Sequence, residues 1–339
     1  MNILIDLINY PKAGGKSYDW RYTIWIDICE ELKRRGHKIW GCPHRVKNME
    51  FPLYKGTTRI FDYYICLSPY GHINRTARYQ LHRDHNKPVT CYDHGWLPNS
   101  VVVDRKKLFG DSYYYDTISN LIQECPSLEK AEAIRQRMLT GNISKRAQPK
   151  KDKIPNVKYI LIPGQVLHDA SVVHYSDTGL KKLILETLDF AKQHDLHVVY
   201  KPHPGLSGAP SHGLQELRNF EKRVSSFTHF HRVNTSIFDL MQAAEFTCCV
   251  NSGSIIDNIV SLTPVYCCGN SFFAKSGTVI YDPDVRRGLT KMLSKDYDAK
   301  HMKKQQLRML WWLNKYMIQE KEPVSHKIEL LEFHSGIKF

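Results

Sequence analysis

Residues 2–41 read NILIDLINYPKAGGKSYDWRYTIWIDICEELKRRGHKIWG, and they carry the clearest structural signal in the chain. Asn2 to Ile8 is a short apolar run, the pattern of a parallel strand buried on both faces. Asn9 to Ser17 is a loop containing Gly14 and Gly15. From Tyr22 to Arg35 the apolar residues recur at helical spacing, and Gly36 stands where a helix C-terminus favours glycine. His37 to Gly41 restarts a strand. A strand, a glycine-rich loop, a helix and a second strand make a Rossmann-like opening.

Further along, Tyr63–Leu67 and Pro88–Tyr92 have strand character. Gly141 to Pro155 contains Lys145, Arg146, Lys150, Lys151 and Lys153 with two prolines, the composition of a linker. The pattern then restarts: strand Tyr159–Ile162, helix Gly179–His194, strand His197–Tyr200. Helix Ile237–Ala244, strand Phe246–Val250, helix Ile255–Ser261 and strand Pro264–Cys268 follow. Strands alternating with helices predict an α/β fold. The expectation is two Rossmann-like domains, residues 1–150 and 151–300, with parallel sheets facing a central cleft. Residues 301–339 form a C-terminal helical segment, in which Met309, Leu310, Trp311, Trp312 and Leu313 read as core.

A length of 339 residues suits two domains, and 42% hydrophobic residues suffice for ordinary cores. The formal net charge of +14 favours anionic partners: phosphates, acidic glycans, nucleic acid or a membrane surface. No apolar run is long enough to span a bilayer, and the start lacks the basic region of a signal peptide. Nine cysteines without a CxxC pair read as buried thiols of a cytoplasmic protein.

The loop Ala13-Gly14-Gly15-Lys16-Ser17 ends like a phosphate-binding P-loop, but Tyr10 occupies the position that pattern gives to glycine. Gly14, Gly15 and Lys16 are better read as a rim loop near an acceptor. Asp282-Pro283-Asp284 imitates a metal-binding DxD, yet the proline between the acids marks a turn. His72, His82 and His85 lack a carboxylate or thiol at ligand spacing and are expected at the surface. No metal site is expected.

Val199-Tyr200-Lys201-Pro202-His203-Pro204-Gly205 is more informative. A buried strand ends there, and two prolines stiffen its exit. Lys201 and His203 are thereby fixed at the carboxyl edge of a parallel sheet, where open α/β folds bind ligands. A cation beside an imidazole can hold a departing phosphate. Asn251-Ser252-Gly253-Ser254 joins a strand to a helix, a sequence suited to binding an anion. Asp257 in that helix's first turn can accept from a ribose hydroxyl or complement the helix dipole. Gly164, Gln165, Asp169 and Ser171 follow the first strand of the second half, and Asp93-His94 follows a strand of the first. Two carboxylates from opposite walls of a cleft suit sugar transfer.

These residues together resemble the capsule polysaccharide synthesis family, especially its retaining β-Kdo transferases of GT-B fold. The points of contact are Pro163-Gly164-Gln165-Val166 with Asp169-Ala170-Ser171, Lys201-Pro202-His203-Pro204, Asn251-Ser252-Gly253-Ser254, and Asp93-His94-Gly95-Trp96. The resemblance implies that Asp169 is a nucleophile and Asp93 an acid or base. It also implies that Lys201, His203, Ser252 and Ser254 hold the donor phosphate without a metal ion. The family reads Glu-Asp-Gly where this chain has Asp93-His94-Gly95. That difference admits a second mechanism, in which Asp93, or His94 supported by it, deprotonates the acceptor in one inverting step.

The reading is therefore a metal-independent glycosyltransferase using a nucleotide-sugar donor, CMP-Kdo or a UDP-linked hexose or pentose. Its acceptor is a glycan or glycoconjugate, no cofactor is needed, and peripheral membrane contact is compatible with the charge. A nucleotide-sugar epimerase or hydrolase on the same scaffold is the alternative. A nucleic-acid-binding protein is disfavoured, because the basic residues outside the linker are dispersed and no nucleic-acid motif is present.

Overall fold

The computed structural model describes residues 1–7, 20–43, 51–70, 72–149, 153–204 and 212–339. Gly14, Gly15 and Lys16 lie outside the described residues. In chain order the elements begin with β1 (Asn2–Leu7), α1 (Trp20–Arg34), β2 (Lys38–Pro43), β3 (Tyr63–Leu67), α2 (Ile73–Asp84), β4 (Val89–His94) and β5 (Ser100–Asp104). Then come α3 (Tyr114–Leu121), α4 (Leu128–Thr140), β6 (Tyr159–Pro163), α5 (Ala170–Tyr175), α6 (Leu180–Gln193), β7 (His197–Lys201), α7 (His212–Val224) and β8 (Phe230–Arg232). The chain continues through α8 (Ile237–Ala243), β9 (Phe246–Cys249), α9 (Ile255–Ser261), β10 (Val265–Cys267), β11 (Ile280–Tyr281) and α10 (Val285–Ser294). It closes with α11 (Ala299–Tyr316), β12 (Ile318–Gln319) and α12 (Val324–Ser335).

The elements form two compact units, Met1–Tyr114 with Lys315–Phe339, and Tyr115–Asn314. This division differs from the expected breaks at residues 150 and 300. Composition read Gly141 to Pro155 as a linker, and within it residues 141–149 are irregular backbone. It did not say that this backbone belongs with the second unit. The C-terminal residues likewise divide: α11 mostly serves the second unit, burying Met309, Leu310, Trp312 and Leu313, while β12 and α12 complete the first.

The second unit holds a six-stranded sheet, order β11-β10-β9-β6-β7-β8, and every pairing in it is parallel. Ile160, Ile162, Val198 and Tyr200 from the strands pack in one core with Leu183, Ile184 and Leu188 of α6. Strands covered on both faces are apolar throughout, which is why they stood out in the sequence. The chain winds outward from β6 through β7 to β8, then returns to β9 on the other side of β6. The strand order thus reverses between β6 and β9, the position where such sheets open a ligand crevice.

The first unit has the order β12-β5-β4-β3-β1-β2. Strands β1 to β4 are parallel, but β5 runs antiparallel to β4, and β12 antiparallel to β5. The expected parallel sheet is thus present in β1 to β4, with two antiparallel strands added at one edge. Only a short turn separates β4 from β5, too few residues for the crossover that a parallel pairing requires. Gly95 starts that turn and donates its N–H to the Ser100 carbonyl at 2.7 Å. A Cβ at this position would lie 2.0 Å from Ser100 Oγ, so the hairpin needs glycine there.

The expected surface position of His82 is also corrected. Its ring is fully buried and stacks on Phe61. Phe61 N–H donates to Nε2 at 3.1 Å, and Nδ1 bonds the Arg78 carbonyl at 2.8 Å. His85 is exposed. The cysteines are free thiols, and Cys248, Cys249, Cys267 and Cys268 are buried.

Candidate active site

In the second unit, the loops leaving β6, β7 and β9 meet at the carboxyl edge. Gly164 donates its N–H to the Lys201 carbonyl at 2.8 Å, and an added Cβ would lie 2.6 Å from the His203 nitrogen. Glycine is what lets the β6 exit lie against the β7 exit. Gln165 is buried, and its Nε2 donates to Ser171 Oγ and to Asn251 Oδ1, each at 3.1 Å. Asn251 Nδ2 in turn donates to the Ser171 carbonyl at 2.6 Å. Gln165, Ser171 and Asn251 thus pin the β6 exit, α5 and the β9 exit together.

Asp169 is the N-cap of α5. Its Oδ1 accepts from Ser171 N–H at 2.9 Å and from Ser171 Oγ. Capping spends one carboxylate oxygen on the helix. Oδ2 has no hydrogen-bond partner among the described residues.

Lys201 is 6% exposed, and its Nζ donates to the Thr235 carbonyl at 2.5 Å. Burial lowers its pKa, and Asp257 opposes that shift. Burial also lowers the His203 pKa, assisted by Arg146 and Lys145 and opposed by Asp169. The imidazole is therefore neutral at pH 7. Burial pushes the Asp257 carboxyl up to about 7, while the Ser144 hydroxyl, Lys201 and Lys145 pull it down.

These partners expose what the sequence reading missed. Residues 141–149, part of the stretch Gly141 to Pro155 whose composition is that of a linker, form a strap over the β7 exit and the start of α8. Ser236 Oγ donates to Asn142 Oδ1 at 2.9 Å, and Ile237 N–H donates to Gln148 Oε1 at 3.0 Å. Between these anchors the strap brings Ser144, Lys145 and Arg146 to Asp257 and His203. Its density of positive charge, the feature that suggested a linker, was the available signal. Asp257 itself is buried beneath the strap and is not a rim group.

A cleft of about 890 Å³ opens beside the same turn, lined by Gln148, Lys201, His203, Arg218, Lys222 and Arg232 among others. Ser252, Gly253 and Ser254 lie at the β9 exit and do not line it. Ser252 Oγ accepts from Ser254 N–H at 3.2 Å. Ser254 Oγ and Gln165 Oε1 are buried with no hydrogen-bond partner among the described residues.

In the first unit, Asp93 and His94 are the last two residues of β4 and do not lie on the loop beyond it. Asp93 Oδ1 accepts from the His94 N–H at 2.7 Å and lies 4.0 Å from Arg21 Nη1. Arg21, in the first turn of α1, gave no sequence signal. Asp282 is buried and bound by Arg287 and Lys291, which hold its carboxyl down to about 2. Asp284 caps α10 by accepting from Arg287 N–H at 2.8 Å. Asp282-Pro283-Asp284 is therefore a helix-starting turn.

A family model described as capsule polysaccharide biosynthesis protein matches residues 126–309, more than half of the chain. No curated protein sequence matches it. Among solved structures, Thermosulfurimonas dismutans KpsC, β-Kdo 2,4 transferase, superposes with a TM-score of 0.57 at 16% identity. That match covers 91% of this chain and 90% of the other. Thermosulfurimonas dismutans KpsC, β-Kdo 2,7 transferase, gives 0.48 at 18% identity over 90% of this chain and 89% of that one. The first of these superpositions, with the two α/β units, shows the GT-B fold.

Proposed function

The chain belongs to the capsule polysaccharide biosynthesis family, and on that premise we propose that it is a glycosyltransferase using a nucleotide-sugar donor bound by its second unit. The observation that carries this reading is the grouping of Lys201 and His203 with Lys145 and Arg146 of the strap, close to Asp169. Cations and a neutral imidazole at the carboxyl edge of a parallel sheet suit a phosphate that must leave with the bond electrons. The buried acceptor Gln165 Oε1 and hydroxyl Ser254 Oγ are suited to donor hydroxyl groups or phosphate oxygens.

In the proposed reaction Asp169 Oδ2 attacks the anomeric carbon, and the bond from that carbon to the phosphate oxygen breaks. Lys201, Lys145 and Arg146 neutralise the departing phosphate, and His203 hydrogen-bonds it. The acceptor hydroxyl then attacks the glycosyl ester and loses its proton to a base. The Asp169 carboxylate is released, and the anomeric configuration is retained. Asp93 is the candidate acid or base. Direct attack by the acceptor, with Asp93 or His94 taking its proton, would invert the configuration. These cations also let us propose turnover without a divalent ion.

Thermal-shift measurements with UDP, CMP and GDP test the reading and identify the base. A nucleotide bound only by the folded chain raises Tm, and His203→Ala should remove that rise while leaving the unliganded Tm within a few degrees. No shift with any nucleotide would overturn the proposal. Incubation with the matching nucleotide sugar should release nucleotide only when an acceptor is present, and should do so in EDTA. A trapped sugar on Asp169 would distinguish the two-step route from the inverting one.

A further inference from the structure

We propose that the first unit carries an oxyanion site of its own, a pocket for a carboxylate or phosphate at the carboxyl ends of β1 and β3. The parallel part of that sheet has the order β2-β1-β3-β4. The chain reverses its winding between β1 and β3, which opens a crevice beyond their carboxyl ends. A cavity of about 250 Å³ lies at that point. Asp6 and Leu67 from the two strand ends line it, together with Lys55, Asn74, Arg75 and Arg78.

The lining is built and carries excess positive charge. Arg78 and Asp6 are both buried, with Nη2 to Oδ1 at 3.2 Å. Tyr64 Oη at 2.6 Å and Leu67 N–H at 3.1 Å donate to the other Asp6 oxygen, so this carboxylate is saturated by protein groups. Lys55 and Arg75 have no carboxylate partner among the described residues. Arg75 is held by Nη1 donating to the Leu67 and Ser68 carbonyls. A guanidinium has five N–H donors, so this anchoring does not exhaust it. Lys55 follows a short bridge in which Tyr54 N–H donates to the Gly41 carbonyl at 2.9 Å. Helix α2 begins at the pocket with no acidic residue in its first turn, and its N-terminal N–H groups are not capped by the His72 side chain. The positive end of its dipole adds to the same field.

Three cations against one saturated carboxylate leave a pocket that attracts negative charge. Its volume falls below the roughly 300–1,000 Å³ of sites enclosing a whole ligand. It fits one charged group, or one acidic sugar ring, better than a nucleotide. Under the transferase reading the group belongs to the acceptor, but the oxyanion site stands without that reading.

The test is direct binding to the full chain, by ligand-observed NMR or calorimetry, of glucuronate, glucose 6-phosphate and glucose. At least one of the two anions should bind and glucose should not, and the tighter anion identifies the group recognised. Lys55 is exposed, so Lys55→Gln leaves the fold intact, and it should weaken anion binding about tenfold. Arg75→Gln should weaken it at least as much, and Lys201→Gln should leave it unchanged. The inference is overturned if neither anion binds or if glucose binds equally well. It is also overturned if binding is lost with Lys201→Gln and kept with Lys55→Gln. UDP and CMP titrated in parallel report on the second unit, so failure of the transferase reading shows separately.

Discussion

Asp169 caps α5 and is the proposed nucleophile, and the two roles are separable by substitution. Asparagine caps a helix about as well as aspartate, whereas alanine costs roughly 1 kcal/mol. Asp169→Asn should keep Tm close to wild type, Asp169→Ala should lower it, and both should reduce sugar transfer by at least about a hundredfold. Equal activity loss without that difference in Tm would deny the capping role. Full activity in Asp169→Asn would remove the residue from the chemistry. Asp257 gives a pH signature. Burial raises its pKa to about 7 in the fold, from the 3.8 ordinary for an aspartate. Between those values the unfolded chain has released a proton that the folded chain keeps, so this group makes stability fall as pH rises. Asp257→Asn removes the effect, and its Tm relative to wild type should climb between pH 5.5 and pH 8. A difference independent of pH would place the Asp257 pKa near its ordinary value. Lys201, His203 and Asp169 were legible as residues because prolines, glycine and strand ends marked their positions. Arg21 was not legible, since one arginine in an amphipathic helix looks like any solvated charge.

At the scale of elements, the strap is the part that changes the reading of the site. Lys145→Gln and Arg146→Gln should each weaken UDP or CMP binding several-fold, with little effect on uridine or cytidine, because only the phosphate senses the lost charge. Equal losses for nucleotide and nucleoside would mean that the strap acts through packing alone. The β4–β5 hairpin makes a second prediction. Gly95→Ala places a methyl against Ser100, and overpacking of this kind costs about 1–3 kcal/mol. A Tm unchanged from wild type would mean that the turn relaxes freely. Long apolar runs such as Tyr159–Pro163 announced their strands, because burial on both faces leaves no polar alternation. Edge strands β8, β11 and β12 did not, since two or three residues carry no readable period. Strand β5 was missed for another reason. A hairpin return such as Ser100–Asp104 cannot be told from a loop without its partner strand.

For the whole molecule, the division into units predicts what a truncation would do. The second unit, residues 115–314, is continuous in sequence, whereas the first needs residues 315–339 as well as 1–114. Those residues supply β12, paired to β5 through Ile318 and Val101, and the buried Ile328, Leu330 and Leu331 of α12. They also supply Lys327, whose buried ammonium donates to Asp27 at 2.6 Å, and His334, bonded to Tyr114 Oη. Burying three aliphatic side chains contributes roughly 5–9 kcal/mol, comparable with the 5–15 kcal/mol that holds an ordinary domain folded. Ending the chain at residue 314 should therefore unfold the first unit. Amide exchange would show it, with β1, β3 and β4 losing protection while β6, β7 and β9 keep theirs. Nucleotide binding should survive if the second unit holds the donor alone. Lys327→Met is a milder probe of the same dependence, since it replaces a buried charge with an apolar chain and leaves Asp27 half-exposed without its partner. It should lower the stability of the first unit without altering nucleotide affinity. Retained protection of β1 and β3 in the truncated chain would mean that residues 1–114 fold unaided, and that the C-terminal segment is packed onto a finished unit.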